Sequence, residues 1–132
     1  MHSIYTLGTS NRTPEEFLKL LKKYSIEIIF DVRRFPKSRF LHFIQENLTE
    51  LLKTHKIEYC YLGAELGGFR TGGYEKYMET NEFKTGIEII TNYAQEKIGC
   101  ILCAERNPTQ CHRRFISQAL TKLGFNVIDI IE

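Results

Sequence analysis

Five short apolar runs, Ser3–Leu7, Ile26–Val32, Ile57–Leu62, Gly99–Ala104 and Phe125–Ile131, alternate with segments of helical period, and no other feature constrains the fold as much. Strand and helix in alternation predict an α/β fold: a three-layer open sheet of about five mostly parallel strands with helices on both faces. The run Ile26–Val32 is almost unbroken, as expected of a central strand covered on both sides. With 132 residues, 42% of them hydrophobic and 26% charged, the chain has the size and composition of one domain, residues 1–132, with a core that needs no disulfide or structural metal.

Helix boundaries are written into the sequence. Thr13-Pro14-Glu15-Glu16 supplies a cap, a proline at the first helical position and a glutamate three residues after the cap. Phe17, Leu20, Leu21 and Tyr24 form the buried stripe of that helix. Leu48, Leu51 and Leu52 mark a second helix, and Phe83, Ile87, Ile90 and Ala94 a third. Asn107-Pro108 repeats the cap-plus-proline signal, which predicts a fourth helix from there to Leu123, with Gly124 beyond its end. Between the third strand and third helix, residues 63–81 hold five of the nine glycines and read as a long irregular loop over a site.

In open α/β sheets ligands bind beyond the carboxyl ends of the strands. Those ends are unusually polar here: Gly8-Thr9-Ser10-Asn11-Arg12 after the first strand, Asp31 and Arg33 after the second, the glycine loop with Glu65, Gly67 and Gly68 after the third, and Cys103, Glu105 and Cys111-His112-Arg113-Arg114 after the fourth. At 100° per residue, His112 and Arg113 flank the apolar stripe Ile116, Ala119, Leu120 and Leu123 and so lean inward. An inward polar pair needs internal partners, for which Asp31 and Glu105 are the candidates. A buried structural ion pair and a functional site both satisfy this pattern.

Three chemistries remain open. The fourth helix's free N-terminal amides, with Arg33 and Arg113, suit a phosphate-bearing ligand. In that favoured reading the chain is an enzyme on a nucleotide or nucleic-acid-derived ligand: Arg33 and Arg113 bind anionic oxygens, His112 or Glu105 transfers protons, Asp31 orients a cation, and Ser10 and Asn11 hydrogen-bond the substrate under a closing Gly67-Gly68 loop. The alternative is a non-catalytic ligand- or partner-binding regulatory module using the same residues. The third reading is thiol-dependent sulfur transfer or redox chemistry at Cys103 and Cys111, with His112 adjacent.

The cysteines Cys60, Cys100, Cys103 and Cys111 come without a secretory signal and read as reduced thiols of a cytoplasmic protein. No metal site is assigned: Cys100 and Cys103, three apart on a strand, face opposite ways, and Cys103, Cys111 and His112 offer three ligands without an obvious fourth. A Cys-x5-Arg anion loop is absent, because Thr109 stands in the arginine's place. The basic-aromatic run from Arg33 to Phe40 reads chiefly as a solvated loop. A net charge of +2 implies no general polyanion surface, and no stretch of about 18 apolar residues implies a membrane partner. Cofactors and oligomeric state are left open.

Taken together, Thr6-Leu7-Gly8-Thr9-Ser10-Asn11, Asp31-Val32-Arg33 with Pro36, Leu66-Gly67-Gly68, Tyr77-Met78 and Cys103-Ala104-Glu105-Arg106-Asn107-Pro108 followed by Cys111-His112-Arg113 closely resemble the small bacterial and archaeal family called domain of unknown function 488. The resemblance spans nearly the whole chain and implies an α/β fold with a polar site at the motif edge. Members of that family often carry histidine where this chain has Thr9 and aspartate where it has Asn107.

Overall fold

The computed structural model describes residues 2–36, 40–68, 70–108 and 111–132. Its elements run β1 (Ser3–Gly8), α1 (Pro14–Lys23), β2 (Ile28–Asp31), a 3-10 turn (Leu41–Phe43), α2 (Gln45–Thr54), β3 (Glu58–Tyr61), α3 (Gly63–Leu66), α4 (Tyr74–Tyr77), α5 (Asn81–Ala94), β4 (Gly99–Cys103), α6 (Arg113–Lys122) and β5 (Asn126–Ile130). The five strands form one parallel sheet in the order β3-β2-β4-β1-β5.

Strand alternation divides the core in two. On one face Leu7, Ile29, Cys100 and Leu102 pack against Phe17 and Leu21 of α1 and Leu48 and Leu52 of α2. On the other, Ile4, Phe30, Ile101 and Cys103 pack against Ile87 and Ile90 of α5 and Ile116 and Leu120 of α6. The three-layer architecture predicted from periodicity is the one formed, and among the described residues no helix is long and apolar enough to cross a membrane.

The cap at α1 is complete: the Thr13 hydroxyl accepts from the Glu16 N–H at 3.1 Å, and the Glu16 carboxylate accepts from the Thr13 N–H at 3.0 Å. The second cap-plus-proline signal does not start its helix. Instead α6 begins at Arg113, after a turn in which the Cys111 N–H points to the Pro108 carbonyl. Cys111 lies back beside Cys103 before the helix sets off. Thr109 and Gln110 lie outside the described residues, as do Lys37–Arg39 of the basic-aromatic run and Phe69 of the glycine loop. That loop carries two helical turns, α3 and α4, rather than being wholly irregular.

The topology selects one crevice. β2 is connected to β3 through α2, away from β4, whereas β4 is connected to β5 through α6, away from β2. Neighbouring strands whose connections depart in opposite directions create the switch point at which α/β sheets hold ligands. Here it lies between Val32 and Cys103.

Candidate functional site at the end of strands two and four

At this switch point stand two sulfurs and an imidazole. Cys103 ends β4, Cys111 precedes α6, and His112 is the N-cap residue of that helix. Carbonyl oxygen only accepts, so the 3.0 Å contact between His112 Nε2 and the Val32 carbonyl is a donation from Nε2–H. That bond leaves the Nδ1 lone pair turned towards Cys111 Sγ at 3.7 Å and Cys103 Sγ at 4.0 Å. The Arg113 N–H, at the start of α6, points to Cys111 Sγ at 3.5 Å. A helix N-terminus and a backbone donor both favour the thiolate form of a cysteine. Burial lowers the His112 pKa from its ordinary value, and the charges of Arg70 and Arg113 act in the same direction.

Cys103 and Cys111 are joined as a disulfide, while Cys60 and Cys100 are free thiols. Reading all four cysteines as reduced is thus corrected for this pair. Proximity is the reason: Cys103 and Cys111, with seven residues between them in the sequence, bring two buried sulfurs together, a closure that compartment-based reasoning does not see. Cys100 faces the other core layer, where burial pushes its thiol up to about 12.

Gly68 borders the imidazole so closely that a Cβ there would lie 3.2 Å from His112 Nδ1. The ring of Tyr74, centred 5.4 Å away, covers another side of His112, and its hydroxyl donates to the Leu66 carbonyl at 2.6 Å. Gly67 packs beneath Arg34, whose guanidinium donates to the Gly68 carbonyl at 3.3 Å. Of the glycine pair singled out from sequence, Gly68 lies against the histidine and Gly67 against Arg34.

Asp31 and Arg33 do not join this group. Asp31 projects with Ile29 onto the α1 and α2 face, opposite to Cys103. There it accepts from Arg33 Nε and Nη2, each at 2.8 Å, and from the Tyr59 hydroxyl at 2.7 Å. The third guanidinium nitrogen of Arg33 donates to the Phe43 carbonyl at 2.7 Å. Arg33, read as a ligand-binding residue, and Asp31, read as orienting a cation, are thus paired with each other on the face opposite His112 and the sulfurs.

The carboxylate partners anticipated for His112 and Arg113 are likewise replaced by main-chain carbonyls. Arg113, fully buried, donates from Nη2 to the carbonyls of Glu105 and Arg106 at 2.9 and 2.8 Å. The Glu105 side chain is exposed, so the residue contributes its carbonyl to the interior.

A third group gathers at the end of β1. Arg106 donates to Asn11 Oδ1 at 3.1 Å and lies 3.4 Å from Ser10 Oγ. Arg12, to which the sequence analysis gives no role, is buried, donates to the Gly8 carbonyl at 2.9 Å, and shares the Glu132 carbonyl with Arg106. Among the described residues, Arg12 Nη2 and Arg113 Nε and Nη1 are buried without a hydrogen-bond partner. The only sequence signal for Arg12 was its position in the polar run after the first strand.

A family model described as domain of unknown function DUF488 matches residues 13–120, and the chain belongs to that family. A search of curated proteins returns no match.

Proposed function

We propose that this member of the DUF488 family is a thiol–disulfide exchange protein whose working pair is Cys111 and Cys103, with His112 as the proton carrier. The observation that carries the reading is the placement of both sulfurs beside a lone pair whose tautomer is dictated by the Val32 carbonyl. The Arg113 N–H on Cys111 Sγ makes Cys111 the attacking sulfur and Cys103 the resolving one.

Starting from the dithiol, Nδ1 of His112 takes the Cys111 proton, and the thiolate attacks one sulfur of a small disulfide. The substrate's S–S bond breaks, a mixed disulfide forms, and the departing thiolate takes the proton from His112. The Cys103 thiol, deprotonated in turn by His112, attacks Cys111 Sγ; the internal disulfide forms and the second thiol leaves. The protein dithiol is oxidised and the substrate disulfide is reduced to two thiols. The two protein sulfurs are nearly enclosed, which favours a small exchange partner.

The test is a trap. Reduced Cys103→Ser protein exposed to glutathione disulfide should accumulate a mixed disulfide at Cys111, read by mass spectrometry, whereas Cys111→Ser should accumulate far less. Absence of any adduct from folded Cys103→Ser protein would overturn the reading.

A second reading, a phosphate- or nucleotide-binding enzyme or regulatory module, is favoured by the partnerless nitrogens of Arg12 and Arg113. Buried guanidinium donors without acceptors are costly, and a bound anion would satisfy them. A thermal shift with inorganic phosphate or nucleotides that is present in the wild type and lost in Arg12→Lys supports this reading, whereas an unchanged midpoint in the wild type removes it.

A further inference from the structure

We infer that the reduced protein binds one thiophilic cation of the Zn2+ class through Cys103 Sγ, Cys111 Sγ and His112 Nδ1, and that oxidation of the pair releases it. The inference rests on the reading of Cys103 and Cys111 as a reversible redox pair and adds a ligand to its reduced state.

The geometry is that of a partial coordination sphere. All three donor atoms lie within 4.8 Å of one another, with Nδ1 at 3.7 and 4.0 Å from the two sulfurs. With bonds of about 2.3 Å to sulfur and 2.0 Å to nitrogen, a tetrahedral ion separates its ligand atoms by about 3.5 to 3.8 Å. The observed donor distances belong to the disulfide; once its S–S bond is reduced the two sulfurs can part, and the 7.4 Å between the Cα atoms of Cys103 and Cys111 leaves room for them to do so.

The surroundings support the donor set. The Nε2–H bond to the Val32 carbonyl orients the ring and presents Nδ1, the arrangement commonly found behind a metal-bound histidine. The Arg113 N–H on Cys111 Sγ supports a thiolate ligand. A divalent ion with two thiolates forms a unit without net charge, so the nearby positive charges of Arg70 and Arg113 do not oppose it. Gly68 leaves open the space beside Nδ1 that a side chain would fill. With three protein ligands, the fourth position is left for water or a small ligand, as in catalytic rather than structural zinc sites.

The step balances. Two thiols and Zn2+ give the dithiolate complex and two protons. A low-molecular-weight disulfide then takes two electrons and two protons from solvent to become two thiols, while the protein disulfide forms and Zn2+ departs.

The experiment uses fully reduced full-length protein under nitrogen, titrated with Co2+ as a spectroscopic probe and then with Zn2+. Expected are a thiolate-to-cobalt charge-transfer band saturating at one ion per chain, displacement of that ion by Zn2+, and loss of the band when glutathione disulfide is added. Cys60→Ser should bind as the wild type does, because Cys60 lies on β3, outside the donor set. The Cys103→Ser/Cys111→Ser double variant, with its fold verified by circular dichroism, should lose the band, and Gly68→Ala should weaken binding at least tenfold. No band with reduced wild-type protein, or a band that persists in the folded double variant, overturns the inference. Absence of a cobalt band, together with a Cys111 mixed disulfide in Cys103→Ser, sinks only the metal site. A cobalt band that glutathione disulfide leaves untouched, with no mixed disulfide in Cys103→Ser, sinks the redox reading and with it the proposed release.

Discussion

Arg33 and Asp31 form a two-pronged ion pair beneath the 3-10 turn, with Nε and Nη2 of the arginine each 2.8 Å from a carboxylate oxygen and both side chains almost fully enclosed. Removing one partner of such a pair strands a buried charge, typically at a cost of about 3–5 kcal/mol. Arg33→Ala should therefore lower the unfolding free energy by about that amount in urea titrations. Arg33→Met with Asp31→Asn should recover much of the loss. A folded Arg33→Ala protein of unchanged stability would contradict the structural role and return Arg33 to the ligand-binding candidates.

Thiol reactivity should rank by environment. In the reduced, metal-free protein, Cys111 should be alkylated by iodoacetamide ahead of Cys100, which is fully buried and whose thiol is pushed up to about 12. Cys60 should react slowly near neutral pH, since burial and then the charges of Glu65 and Glu58 raise its pKa. Peptide mass mapping of a time course gives the order. Cys100 labelling first in native protein would contradict it.

Stability of the oxidised, metal-free protein should fall with pH through the imidazole range. His112 is held below its ordinary pKa of 6.5, first by burial and then by Arg70 and Arg113, with the Val32 carbonyl pulling the other way; Tyr74 packs on the ring without adding charge. The unfolded chain therefore takes up a proton at a pH where the folded protein does not, and stability present above about pH 6.5 declines below it, levelling off under the lowered folded value. Each unit of lowering corresponds to about 1.4 kcal/mol. Urea midpoints measured from about pH 7.5 down to pH 5 should show this decline in the wild type, and less of it in His112→Gln.

Gly8 closes the gap between β1 and the loop after β4. A Cβ at this position would overlap the carbonyl oxygen of Glu105, which also accepts from Arg113. Gly8→Ala must push that loop outward, and overpacking of this kind costs about 1–3 kcal/mol or somewhat more. A loss of at least 2 kcal/mol, about the middle of that range, is expected in thermal or urea unfolding. An alanine variant as stable as the wild type would show that the loop gives way freely.

Loss of the α1 cap offers a milder reference. Thr13→Ala removes the hydroxyl that accepts from the Glu16 N–H, and should cost about 1 kcal/mol. Chemical unfolding reads it directly. The change lies away from the sulfurs, so Cys111 trapping by glutathione disulfide should be unchanged.

The layers of this fold follow from local pattern. Alternating apolar strands and helical stripes specify which residues of Leu7, Ile29, Phe17 and Ile116 are buried, because periods of two and 3.6 residues present fixed faces whatever the partner. The same logic placed Cys103, Cys111, His112, Arg113 and Gly68 near one edge. What periodicity does not contain is strand order or which side of the sheet each polar end takes. Those came from the β3-β2-β4-β1-β5 packing, which set Asp31 and Arg33 on the α1 and α2 face and the sulfurs with His112 on the other. Tertiary structure alone also supplied the carbonyls of Val32, Glu105 and Arg106 as partners for His112 and Arg113. Every residue carries such a carbonyl, so its use is a matter of position in space and leaves no mark in the amino-acid sequence.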